Sequence, residues 1–139
     1  MGVFPNSTAL PCPYPGLRPF RRDEAGLFFG REAQIEAMLA KLEDQRFLAV
    51  VGVSGCGKSS LVQAGLLPAL EAGFLSNAGP DWRMAILRPG EAPFKRLAEA
   101  LSQPAALGPE RGGDIAAIGF LEAALRRGRL GLVEAVAET

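Results

Sequence analysis

The residues of this chain best suited to chemistry end a glycine-rich run: Gly52-Val-Ser-Gly-Cys-Gly-Lys58-Ser59, followed by Ser60. The run fits G-x-x-x-x-G-K-[ST], the phosphate-binding P-loop or Walker A pattern. Gly52, Gly55 and Gly57, with the small Ser54 and Cys56 between them, let the backbone curl so that successive N–H groups face an anion. A helix opening at Lys58 would aim its positive dipole end at the same point. Lys58 is the candidate catalytic residue, its ammonium meeting the β- and γ-phosphates of a nucleotide. The Ser59 hydroxyl is the candidate ligand for Mg²⁺. Ser60, one step on, is a further candidate phosphate contact. Cys56 has two readings, a small residue at a tolerant position or a thiol made redox-sensitive by the helix end.

The flanking sequence supplies elements that would hold such a loop. Phe47-Leu-Ala-Val-Val51 is wholly apolar, the pattern of a parallel strand covered on both faces. After the loop a helix is expected to about Leu70, with Pro68 as a kink or late break and Gly73 as its stop. Before the strand, Ala33, Ile35, Met38, Leu39 and Leu42 share one face of a helix over 31–44, which Gln45-Arg46 ends. Trp82 to Leu87 reads as a second strand, ended by Arg88-Pro-Gly90. Pro93 opens a helix through Leu101, with Phe94, Leu97, Ala98 and Leu101 inward. A Pro- and Gly-rich loop is expected over 103–113. Asp114 then caps a helix to about Arg127, with Ile115, Ile118, Leu121 and Leu125 inward, and a short helix follows over 130–137. Alternation of helix and strand predicts an α/β layered P-loop fold, its parallel sheet incomplete because only two strands are present.

Residues 1–25 form a leader carrying Pro5, Pro11, Pro13, Pro15 and Pro19, neither helix nor central strand. Its first dozen residues are expected to be mobile. Tyr14 to Phe20 carries large apolar groups and is expected to pack on the domain, and Asp23-Glu-Ala to open a short helical turn. Residues 26–139 read as the N-terminal part of a P-loop domain.

Hydrophobic residues make up 48% of the 139, enough to fill a core in one domain or part of one. Fifteen basic and fifteen acidic residues cancel, which argues against a broad nucleic-acid or anionic-membrane surface. The absence of histidine removes imidazole chemistry. Two cysteines, one in the leader and one in the loop, fit a reducing compartment. No run is long enough to span a membrane, and the N-terminus lacks the pattern of a signal peptide, so a cytoplasmic protein is expected.

An apolar strand ending in the Asp that holds Mg²⁺, the Walker B element, is expected in a P-loop ATPase. None follows residue 60: Asp81 precedes an apolar run and Asp114 follows Gly112-Gly113. Two readings remain. Either the chain is the N-terminal part of a longer protein, or it is a nucleotide-gated interaction module that does not hydrolyse. A kinase or an AAA+ motor is a third class with the same loop.

Three stretches, Tyr14-Pro-Gly-Leu-Arg-Pro-Phe20, Leu27-Phe-Phe-Gly-Arg-Glu32 and Val51 to Ser60, together resemble the start of bacterial STAND-type NTPases, signal-transduction ATPases of the group often fused to WD40 repeats. Trp82 to Gly90 is similar to that group's second strand. The resemblance spans about residues 13–101. It implies an ATP-dependent switch that self-associates in the full-length protein. It also implies that Phe29, Gly30 and Arg31 lie over the adenine and ribose, and that a Walker B element stands beyond this chain. On that reading the parent hydrolyses ATP and this part binds it without efficient hydrolysis.

Overall fold

The structure, a computed structural model, describes residues 13–75, 77–107 and 115–137. These fall into two compact units that divide between Trp82 and Arg83.

In the first unit a 3-10 turn, Arg22–Leu27, precedes helix α1, Glu32–Gln45. The Glu24 carboxylate accepts the Arg21 N–H at 2.9 Å, while the Glu24 N–H donates to the Arg21 carbonyl at 3.1 Å, a reciprocal cap that fixes where the turn begins. α1 turns Met38 fully inward, with Ile35, Leu39 and Leu42 half-buried; Ala33, expected on the same face, is exposed. The helix stops at Arg46, whose φ of 50° is left-handed and whose N–H closes on the Leu42 carbonyl.

Helix α2 runs over 58–71 in three parts: Lys58–Ser60, a wide π stretch Leu61–Leu66, and Leu67–Glu71. The Leu67 N–H reaches back five residues to the Val62 carbonyl. The wide turn lies directly before Pro68, which has no N–H to give, so the helix continues through the proline instead of breaking there. Gly73 closes it at φ 79°, with the Phe74 N–H on the Ala69 carbonyl at 3.1 Å.

The second unit is held by α3, Pro93–Leu101, α4, Pro104–Leu107, α5, Ile115–Arg126, and α6, Gly131–Ala137. Ala98, Leu101, Leu107 and Leu125 form its core, with Ala85, Leu97, Ile118 and Leu121 against them. α4 replaces part of the expected 103–113 loop; the Gln103 carbonyl accepts the N–H groups of Ala106 and Leu107. Ile115, expected inward, is exposed. Phe94 is also partly exposed, and the Arg126 guanidinium covers its ring at 5.1 Å. Asp114, the expected cap, lies outside the described residues.

The expected α/β layered fold with its incomplete parallel sheet is not what forms. Every regular element among the described residues is a helix. Residues 47–51 and 82–87 form no regular element. The reason is physical: an apolar run becomes a strand only when a neighbour takes its N–H and C=O groups. Residues 47–51 find no such neighbour among the described residues, and Phe47 and Val51 remain 75% and 89% exposed. In the second segment the Met84 N–H donates to the Ala105 carbonyl of α4 at 3.0 Å, a single bond to a helix rather than a ladder.

Candidate functional site

The loop 52–57 joins the apolar segment 47–51 to α2. Gly55 and Gly57 adopt φ of 78° and 87°, left-handed values that a side chain would strain, and these two residues turn the chain tightly into the helix. Val53 carbonyl accepts the Cys56 N–H at 3.4 Å, and Gly57 carbonyl accepts the Leu61 N–H at 2.8 Å. The N–H groups of Gly55, Gly57, Lys58 and Ser59 donate to nothing among the described residues. A loop of this form therefore offers several free donors beside the first turn of a helix.

Lys58 curls back over the loop. Its Nζ donates to the carbonyls of Gly52 at 2.9 Å and Val53 at 2.7 Å, and stands 3.8 Å from Cys56 Sγ. Gly52, Cys56 and Lys58 are thus brought together around one ammonium group. A β-carbon on Gly52 would stand 3.0 Å from Cys56 Sγ, so the glycine makes room for the thiol. Ser54 is exposed, and so is Ser59; the Ser59 hydroxyl makes no hydrogen bond among the described residues.

Ser60 is placed differently. It is half-buried, and its Oγ accepts the backbone N–H of Phe20 at 3.1 Å, forty residues earlier. The segment 18–28 is held on α2 and on itself by further contacts. Arg22 makes a two-pronged ion pair with Glu71 at the far end of α2. Arg18 grips the Glu24 carboxylate at 2.7 and 2.5 Å. That guanidinium, with the Arg21 N–H second, holds the Glu24 carboxyl at about 2, well below its ordinary range. The Phe20 and Phe28 rings meet at 5.5 Å. Of the expected packing of Tyr14 to Phe20, only the Phe20 end is seated; Tyr14 and Leu17 face outward.

Phe29, Gly30 and Arg31 form the bend between the 3-10 turn and α1. Gly30 has φ 78°, and its N–H donates to Glu32 Oε1 at 2.9 Å. The backbone N–H groups of Glu32 itself and, second, of Gly30 hold the Glu32 carboxyl below its ordinary range. Phe29 is exposed, and no hydrogen bond or ion pair joins residues 29–31 to the loop 52–60 among the described residues. Phe28, directly before them, and Ile35, in the first turn of α1, do reach α2, both approaching Gly65. The sequence reading overlooked Phe20, Arg22 and Glu71 as partners, because a bond to a backbone N–H and a pair 49 residues apart leave no local spacing signal.

Among the described residues, no helix is long and apolar enough to cross a membrane. No curated protein and no solved structure matches the chain. One protein-family model does, that of novel STAND NTPase 1, over residues 13–138. The match takes in the seated leader, the bend at residues 29–31, the loop and the helices of both units. The chain belongs to the novel STAND NTPase 1 family.

Proposed function

We propose that the chain binds the triphosphate of ATP, with Mg²⁺, in the loop 52–59. The observation that carries this reading is the set of unengaged N–H groups at Gly55, Gly57, Lys58 and Ser59 beside the Lys58 ammonium, on a sequence that fits the Walker A pattern. That donor set fits an anion of several oxygens. Lys58 already donates hydrogen bonds to two carbonyls, and phosphate oxygens are stronger acceptors for the same ammonium. The Ser59 hydroxyl is the group this chain offers to Mg²⁺. Phe29, Gly30 and Arg31 are assigned to the base and ribose on the family resemblance alone.

Within the parent protein we assign this chain to an ATP-dependent signalling switch of the bacterial group often fused to WD40 repeats, cytoplasmic and self-associating. We assign to this chain binding without efficient hydrolysis on the sequence reading that no apolar run ending in Asp follows residue 60.

Isothermal titration of the 139-residue chain with Mg-ATP is the test. Binding is expected, with Lys58→Ala weakening it tenfold or more, the cost of a charge-assisted contact. Equal affinity in the variant overturns the assignment.

A further inference from the structure

Among the described residues, two serines lie within helices or at their ends and are buried or half-buried, Ser60 and Ser102, and they use their hydroxyls differently. Ser102 spends its proton on the carbonyl four residues back, Ala98, at 2.8 Å. Ser60 does not: its Oγ accepts from Phe20, and its own proton has no acceptor among the described residues. A hydroxyl has one proton to give and two lone pairs. Ser60 therefore holds the leader with a lone pair and keeps its proton available, next to Lys58 and Ser59.

We propose that Ser60 is a joint between the phosphate loop and the leader, its hydroxyl donating a hydrogen bond to a bound phosphate while it accepts the Phe20 N–H, so that nucleotide binding tightens the seat of residues 18–28 on α2. This rests on the ATP-binding reading above. The physical basis is polarisation: an oxygen that donates a hydrogen bond to an anion becomes a stronger acceptor, so the Phe20 bond strengthens when the phosphate arrives. The two ends of the seat are the Phe20–Ser60 bond and the Arg22–Glu71 pair, which attaches the same segment at the other end of α2. The coupling is reciprocal: whatever loosens the leader weakens nucleotide binding by the same factor. Ser60 acts here as a positioning residue.

The test is amide hydrogen exchange at Phe20 in the 139-residue chain, with and without saturating Mg-ATP, beside calorimetry on the same samples. ATP is expected to slow Phe20 exchange about fivefold in the parent chain and in Ser60→Thr, which keeps the hydroxyl, and not in Ser60→Ala. A purely structural Ser60 would instead speed exchange equally in both states of Ser60→Ala, leaving the ATP-dependent increment intact. Arg22→Gln, outside the loop, is expected to weaken ATP binding about two- to fivefold through the leader alone. If calorimetry shows ATP bound while Phe20 exchange is unchanged by it, or if Ser60→Ala keeps the increment, the coupling is overturned and the binding reading stands. If the parent chain binds no ATP, both fall.

Discussion

Gly65 of α2 faces Ile35 of α1 with no room to spare: a β-carbon on Gly65 would stand 2.8 Å from Ile35 Cδ1 and 2.9 Å from Cγ1. The close approach locks the helix that leaves the loop against the helix that precedes it. It also sets two effects in opposition for Gly65→Ala. Alanine gains about 1 kcal/mol as a helix former, while overpacking costs about 1–3 kcal/mol. Because Cγ1 is crowded as well as the movable tip, overpacking wins. Gly65→Ala is expected to lower stability by about 1 kcal/mol, seen as a drop of about 5 °C in thermal midpoint. Ile35→Val in the same chain should recover part of that loss, a non-additivity that a double-mutant cycle reads directly.

The leader's turn should respond to acid in a narrow way. A carboxyl held down in the folded chain contributes stability above its unfolded value and loses that contribution as pH falls through the folded one. For Glu24 the window runs from about 4.5 down to about 2. An NMR titration of Glu24 should find its midpoint displaced towards 2, and Arg18→Ala should move it most of the way back, since Arg18 is the larger cause. Added salt should raise the midpoint too, because the pair lies at the surface. A midpoint unchanged by Arg18→Ala would rule out the grip as its cause.

In the loop, Gly52 is not held at a left-handed angle, so an alanine there meets only a steric objection. Its β-carbon would crowd Cys56 Sγ at 3.0 Å and lie 3.7 Å from Lys58 Cδ. Gly52→Ala is expected to weaken Mg-ATP binding about tenfold by displacing the thiol and the lysine, and Gly52→Ala with Cys56→Ala to restore most of it. Failure of the second change to restore binding would assign the effect to the backbone instead.

Arg46 carries the left-handed residue at the end of α1, φ 50°. A side chain there costs about 1–2 kcal/mol, from which the greater unfolded freedom of glycine subtracts about half. Arg46→Gly is expected to stabilise the chain by about 0.5–1 kcal/mol in a urea titration, with the slope unchanged.

The helices were legible because their signals are local. Ile35, Met38, Leu39 and Leu42 at helical spacing gave α1, Pro93 gave the start of α3, and Gly73 and Gly128 marked stops near where the chain turns. The short turn at Asp23-Glu-Ala was legible for the same reason. The sheet was not, because apolar composition in 47–51 and 82–87 records what a strand would need and says nothing of whether a neighbour is present to pair with it. The loop's residues were legible as a motif, and the structure draws Gly52, Cys56 and Lys58 together. The engagement of Ser60 by Phe20 was not, since a backbone N–H belongs to every residue but proline and carries no signature in sequence.

The π stretch in α2 has a consequence in simple counting. Three successive residues, Ala64, Gly65 and Leu66, are all buried, an arc too broad for one stripe of a regular α-helix. Each wide turn holds one residue more than its neighbours over a similar rise, so Leu61–Leu66 behaves as an insertion of a single residue wound into the helix. In sequence count, the side chains beyond it fall one place out of step with Lys58–Ser60. Removing one residue from that stretch would return it to a regular α-turn and leave Glu71 facing Arg22, whereas removing one from Leu67–Glu71 would swing Glu71 away. The helix therefore absorbs a surplus of one without turning its far end from its partner.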